Sequence, residues 1–331
     1  MNILFLDNII KDNFGGPYTQ YEFEQTVGKY AACKYAGEGF PDHVAGETMN
    51  ETVRRVMPDA DWVIDDDKSY HIRKPKNRSY KVGVFINDLH GKHLYGIKNP
   101  VKWANMIMSA DYDGVFMRHP LLYGTSYQPD VVSRILGGKA HWVPHSVNIN
   151  KFYKRDEVKY DVAFIGATYD CYPLRKIIYD NIFYVARGYR VLRGGMAPGG
   201  VIRENNNESG DRCLVGDDYT EALGSTRILI FDCSIYRYPL MKFFEGAASG
   251  CLVMSDAPSL GECLGFKHRE TMVEINLQNW EEALQFFLDN PSEAEKIADA
   301  GMKNTRKNHS HTTRSKQFVG LLKELSDGGI S

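Results

Sequence analysis

No apolar run in this chain approaches the roughly 20 residues that a membrane-spanning helix requires, so no membrane span is expected. The opening Met1-Asn2-Ile3-Leu4-Phe5-Leu6-Asp7 meets a charge too early for a signal peptide and reads instead as a first buried strand. An excess of one charge is lacking too. With 40 Lys and Arg against 42 Asp and Glu, the formal net charge is −2, which argues against a surface given over to nucleic acid but leaves room for a local basic patch. The six cysteines are scattered with no C-x-x-C pair, which speaks against a disulfide framework and a zinc site and predicts reduced thiols in a cytoplasm. His90 and His93 form an H-x-x-H that is not read as a metal site, and neither metal nor cofactor is expected.

What is present is 331 residues, 43% hydrophobic and 25% charged, the make-up of two globular domains that can each bury a core. The chain is organised around Lys242-Phe243-Phe244-Glu245-Gly246-Ala247-Ala248-Ser249-Gly250, which runs into the apolar Cys251-Leu252-Val253-Met254. A short helix ending at a left-handed Gly250 and feeding a buried strand is the αβ half of a βαβ unit. Arg227 to Phe231 reads as the strand before it. Phe243, Phe244, Ala247 and Ala248 are expected to pack the helix on the sheet, while Glu245 reads either as a ligand-binding acid or as solvated surface.

The rest of the chain alternates in the same way. Asn2–Leu6, Asp61–Asp65, Val82–Asn87, Gly114–Met117 and His141–Pro144 read as strands of a first half, with helices at Tyr18–Tyr35, Met49–Met57 and Asn99–Ala110. Gly15 and Gly16, between the first strand and its helix, form either an anion-binding loop or a plain tight turn. Asp88 and His90 follow the strand Val82–Asn87, where a substrate-facing acid and imidazole or an Asx turn would both fit. Lys68 to Lys81 interleaves basic residues with Tyr70 and Tyr80, in the manner of a polyanion site or of a solvated loop. After a linker at Pro144–Tyr153, a second set opens with strands at Tyr160–Ala167 and Tyr189–Gly195 and a helix from Pro173. Gly194–Gly210 reads as a loop, Tyr219–Leu223 as a short helix, Thr271–Ile275 as a strand, and the chain from Asn279 as helical.

The order Pro144-His145-Ser146-Val147-Asn148, Val162-Ala163-Phe164-Ile165-Gly166, Tyr219 with Leu223, Lys242 to Gly250, Gly301, then His311 with Arg314 resembles the GT-B glycosyltransferases of the group 1 retaining family. It is most similar to their spore-maturation-protein-like branch of bacteria and phages. The resemblance covers about Pro144 to Leu322; the first half shares only its βα pattern and glycine loop. It implies an α/β chain of two Rossmann-like domains facing a cleft: 1–147 on the acceptor side, 148–310 binding a nucleotide-sugar, and 311–331 as a helix crossing back.

The resemblance further implies a metal-independent enzyme moving a sugar from a nucleoside diphosphate, UDP being favoured, to an acceptor hydroxyl with retention. A glutamate matching Glu245 would hold the ribose hydroxyls, and the start of its helix, with Lys242, would face the diphosphate. Arg175 and Arg193 are candidates to neutralise that diphosphate as the leaving group gains charge. Tyr219 would pack near the base, and His145 and Gly166 complete the donor side with Gly15 and Gly16 of the first half. Arg237 stands where the family often carries the first acid of an E-x7-E pair, a departure at the donor-sugar contact, and is a donor-binding candidate that would take phosphate instead. Asp88 and His90 are the catalytic candidates should the reaction invert. The acceptor is open between glycan, small molecule and modified DNA. A phage-type DNA glycosyltransferase and a non-catalytic nucleotide-sugar-binding or coat-assembly protein stand as alternatives, with a sugar-nucleotide epimerase behind them.

Overall fold

The structure is a computed structural model that describes residues 1–7, 16–66, 77–86, 105, 112–120, 137–195 and 212–328. Gly15, Asp88 and His90 lie outside the described residues, as do Lys68 to Lys76 of the basic run, the predicted helix Asn99–Ala110 apart from Asn105, and residues 196–211.

The chain divides into two compact units. One holds Met1–Asp7, Pro17–Pro144 and the returning Thr312–Ser331; the other is built on His145–His311. In the first, β1 (Asn2–Leu6), β2 (Ala32–Ala36), β3 (Trp62–Asp66), β4 (Lys81–Ile86), β5 (Gly114–Met117) and β6 (Ala140–Trp142) form a parallel sheet in the order β2-β1-β3-β4-β5-β6. Both faces are covered, which is why β1, β4 and β5 are nearly continuous apolar runs. Alternation sends Leu4, Leu6, Val63, Val84, Ile86, Val115 and Met117 to one face, where Met49 and Val53 of α2 (Met49–Val56) pack. Ile3, Phe5, Trp62, Ile64, Phe85 and Phe116 go to the other, against Phe23 and Val27 of α1 (Gly16–Val27).

The helix expected over Tyr18–Tyr35 stops at Val27, and Ala32–Ala36 is an edge strand paired with β1. Aromatic residues there fit both periods, and pairing with β1 decides between them. α2 begins at a capping box, Thr48 Oγ1 accepting from Glu51 N–H and Glu51 Oε2 from Thr48 N–H.

In the second unit β7 (Tyr160–Ile165), β8 (Val191–Gly195), β9 (Arg212–Cys213), β10 (Thr226–Ile230), β11 (Leu252–Ser255) and β12 (Val273–Glu274) are again parallel, in the order β12-β11-β10-β7-β8-β9. The described helices are α3 (Pro173–Val185), α4 (Gly216–Gly224), α5 (Met241–Ala248), α6 (Trp280–Asp289) and α7 (Pro291–Asn308). Val162, Phe164, Ile228, Ile230, Leu252 and Met254 bury one face against α3, α6 and α7. α5 covers the opposite face so closely that a Cβ on Gly246 would stand 2.5 Å from Leu229 Cδ2. Gly250, at φ +80°, turns the chain out of α5 into β11. The segment expected to be a plain linker is partly packed: Val147 and Phe152 are buried, and Val147 bridges to Ser310.

The final helix, α8 (His311–Ser326), sends Phe318, Val319 and Leu322 into the first unit's aromatic core, and Trp62 Nε1 donates to Ser326 Oγ at 2.9 Å. Among the described residues no helix is long and apolar enough to cross a membrane.

Candidate functional site

After β9 the second sheet returns to the far side of β7 with β10, so the strand order reverses between β7 and β10. The carboxyl ends of strands flanking such a reversal form a crevice in which open α/β sheets bind ligands. β7 ends into Gly166, and β10 ends into Phe231 and Asp232.

Two cations meet at that point. A Cβ on Gly166 would stand 3.1 Å from Arg175 Nη1 and 3.5 Å from Lys242 Cε, so the missing side chain leaves the space that both border. Arg175, in the first turn of α3, is only 3% exposed. Its Nε and Nη2 donate to the carbonyl of Asp232 at 3.1 and 2.8 Å, Nη1 is 3.4 Å from the carbonyl of Ala167, and its guanidinium lies 3.6 Å from the Tyr172 ring centroid. Lys242, in the first turn of α5, is 8% exposed, and its Nζ sits 5.7 Å from the Tyr219 ring centroid. Burial, and then the charge of Arg175, hold the Lys242 ammonium down to about 8, against the opposing pull of Glu245.

Glu245 lies one turn further along α5 and is 7% exposed, so the alternative of a solvated surface acid is set aside. Tyr219 Oη donates to Glu245 Oε2 at 2.8 Å, and the Tyr219 ring meets Phe152 edge-on at 6.0 Å. Burial and the neighbouring Glu245 carboxylate push the Tyr219 phenol well above its usual range, which keeps it a donor. Phe243 packs on Phe231, and Phe244 on Phe266 and His309, the wall that fixes the face α5 presents. His145 is half-buried, with its ring 6.5 Å from that of Phe244.

The structure thus brings together Gly166, Arg175, Tyr219, Lys242 and Glu245, drawn from four segments of the sequence. It does not bring Arg193 to them. That guanidinium stacks on Tyr179 and Phe183 of α3 and donates to the Tyr179 carbonyl at 3.1 Å, on the sheet face opposite α5. Alternation along β8 puts Arg193 on the same side as Val191, which packs in the α3 core. Arg237 directs Nε and Nη2 to the Ala257 carbonyl, at 2.9 and 2.7 Å, tying the loop after β10 to the loop after β11. Its φ of +52°, with +72° at Ser234, makes this a loop held in left-handed conformations that side chains disfavour. Gly16 opens α1.

Sequence reasoning passed over Asp232, which is 1% exposed and bonded to Arg175. The available signal was an acid placed directly after the apolar Ile228-Leu229-Ile230-Phe231. Burial raises the Asp232 carboxyl despite the guanidinium beside it.

Residues 191–320 match the family model described as Glycosyl transferase-like. No curated protein matches the chain in sequence. Among solved structures it is similar to sucrose-phosphate synthase from Thermosynechococcus elongatus, at 12% identity and a TM-score of 0.66, over 99% of each chain. HepE of Anabaena in complex with UDP-glucose is similar at 10% identity and a TM-score of 0.67, over 98% of this chain and 100% of that one. A trehalose-6-phosphate protein from E. coli bound with UDP-2-fluoro glucose gives 11% and 0.62, over 98% and 99%. At such identities the likeness is one of fold: two parallel-sheet α/β units, the elements of the GT-B fold. The family match covers much of the second unit and the start of α8.

Proposed function

We propose that this chain transfers a sugar from a nucleoside-diphosphate sugar, a UDP-sugar in the first instance, to an acceptor hydroxyl. The observation that carries the reading is the convergence of Arg175 and Lys242 on the side-chain-free Gly166 at the strand reversal, one helical turn from the Tyr219–Glu245 pair. Two cations in a largely water-excluded site match a diphosphate, whose negative charge grows as the glycosidic bond breaks; preorganised donors are worth most against that developing charge. The carboxylate of Glu245 supplies charged acceptors for the two hydroxyls of a ribose. The UDP-sugar ligands of HepE and of the E. coli protein point the same way for the donor class.

Retention is the outcome that the family resemblance implies. In that route the acceptor oxygen attacks from the face the phosphate leaves, forming the new glycosidic bond as the old one breaks, and the departing phosphate oxygen takes the acceptor proton. No protein base is then required. No metal and no cofactor enter this proposal. The location proposed is the cytoplasm, where nucleotide-sugars and reduced thiols occur together.

Thermal melting with UDP-, GDP- and ADP-sugars tests the donor class. A ligand that binds only the folded chain stabilises it by about RT ln(1 + [L]/Kd), roughly 2.7 kcal/mol at a hundredfold excess over Kd. UDP-sugars are expected to raise the melting temperature, and prolonged incubation in water should release UDP slowly. A flat response to all three nucleotide classes sinks the reading.

A further inference from the structure

Asp232 serves three groups of a remote segment, the N–H groups of Leu174 and Arg175 and the Arg175 guanidinium, and one nearby, the Ser234 N–H. Its Oδ2 accepts the backbone N–H groups of Leu174 at 2.9 Å and Arg175 at 3.0 Å, so the acid caps α3 from another segment. Tyr172, at the N-cap position, contributes no side-chain bond there. Oδ1 accepts the Ser234 N–H at 3.2 Å, at the base of the left-handed loop, and stands 3.3 Å from Arg175 Nε. The Asp232 carbonyl oxygen takes Nε and Nη2 of Arg175. One edge of the guanidinium is therefore held by the Asp232 carbonyl together with Oδ1, one face rests on Tyr172, and the Nη1 corner lies toward Gly166. The carbonyl survives substitution of Asp232, whereas the contact of Oδ1 with Nε and the charged cap on α3 do not. An arginine held in this way has already lost the rotamer freedom that a loose one would give up on meeting an anion.

We propose that Asp232 is the positioning residue of the donor site: it fixes the Arg175 guanidinium so that Nη1 faces the diphosphate at Gly166, without itself touching the ligand. The proposal rests on the donor-site reading. It follows that Asp232 governs the part of affinity that belongs to phosphate and leaves the nucleoside part alone. A purely structural cap would weaken both or neither.

The test measures dissociation constants of UDP and uridine for the full chain, Asp232→Asn, Asp232→Ser, Arg175→Ala and the double variant Arg175→Ala/Asp232→Asn, each with its melting temperature. Asparagine keeps an acceptor oxygen for the two N–H groups of α3, and serine provides a second, smaller probe should asparagine fold poorly. Expected is a loss of about tenfold or more in the preference for UDP over uridine in both Asp232 variants, the scale of one charged hydrogen bond. Uridine affinity should stay within about twofold, and adding Asp232→Asn to Arg175→Ala should cost no further preference. Equal losses for UDP and uridine, an unchanged preference, or a further loss in the double variant overturns the positioning role while leaving the donor site standing. If the parent chain itself shows no preference for UDP, the donor-site reading falls and the proposal with it.

Discussion

Replacing Glu245 by glutamine keeps the side-chain volume and one acceptor for Tyr219 Oη, but removes the charge and one of the two carboxylate oxygens. Two consequences follow from the geometry. The first is direct: a charged hydrogen bond to a ribose hydroxyl is worth about 1.5–3 kcal/mol, so uridine and UDP should both lose about 10- to 150-fold in affinity. The second runs through Lys242. Glu245 is the group that pulls the Lys242 ammonium upward against burial and Arg175, so its neutralisation lets Lys242 fall below about 8. At pH 8 fewer Lys242 side chains then carry charge, and UDP should lose more than uridine; at pH 6, where the ammonium is retained, the two losses should converge. Calorimetric or NMR titration of both ligands at both pH values reads these effects, with melting temperatures to confirm that the variant is folded. If Glu245→Gln binds uridine at pH 6 as tightly as the parent chain, Glu245 does not hold the ribose, and the donor site has been placed wrongly.

Lys242 predicts a pH dependence in the parent chain. A buried lysine with a depressed pKa binds a diphosphate best when protonated, so UDP affinity should fall by about tenfold between pH 7 and pH 9, following the titration near 8. Stability moves the other way. The unfolded chain holds the proton up to the ordinary lysine range, so the cost of burying Lys242 is present below about 8 and is relieved as pH rises from there toward 10.5; denaturant midpoints across that window check the sign. Phe244→Ala should leave uridine binding largely intact but cost about 3–5 kcal/mol, because this fully buried ring meets Phe266 and His309; on the scale of this unit that lowers the melting temperature by roughly 6–20 °C. Gly250→Ala should cost about 1–2 kcal/mol, since the new Cβ would sit at φ +80° and 2.9 Å from Lys154 Cβ, a loss readable as a shift in denaturant midpoint at constant m.

Much of the architecture was legible in the sequence because it depends on local chemistry. Parallel strands covered on both faces must be apolar throughout, so Ile3–Leu6, Val82–Ile86, Val162–Ile165 and Ile228–Phe231 stand out as runs. Gly250 announced the end of α5 because its φ suits glycine, and Glu245 was placed on that short helix by the same pattern. The edge strand Ala32–Ala36 was hidden, since its exposed and half-buried positions carry no continuous apolar run and the ladder with β1 is a long-range contact. Composition could not say whether Glu245 faces water, which depends on what lies over α5. Nor could spacing separate Arg175 from Arg193: both come after the first strand of the second unit, and only alternation along β8 and the docking of α3 send one guanidinium to Gly166 and the other to the opposite face. The pairing of Asp232 with Arg175 spans 57 positions. Local propensity carries no information about such a pair, because its energy exists only once β7, β10 and α3 have been brought together by burial of the sheet, and that step belongs to the tertiary structure.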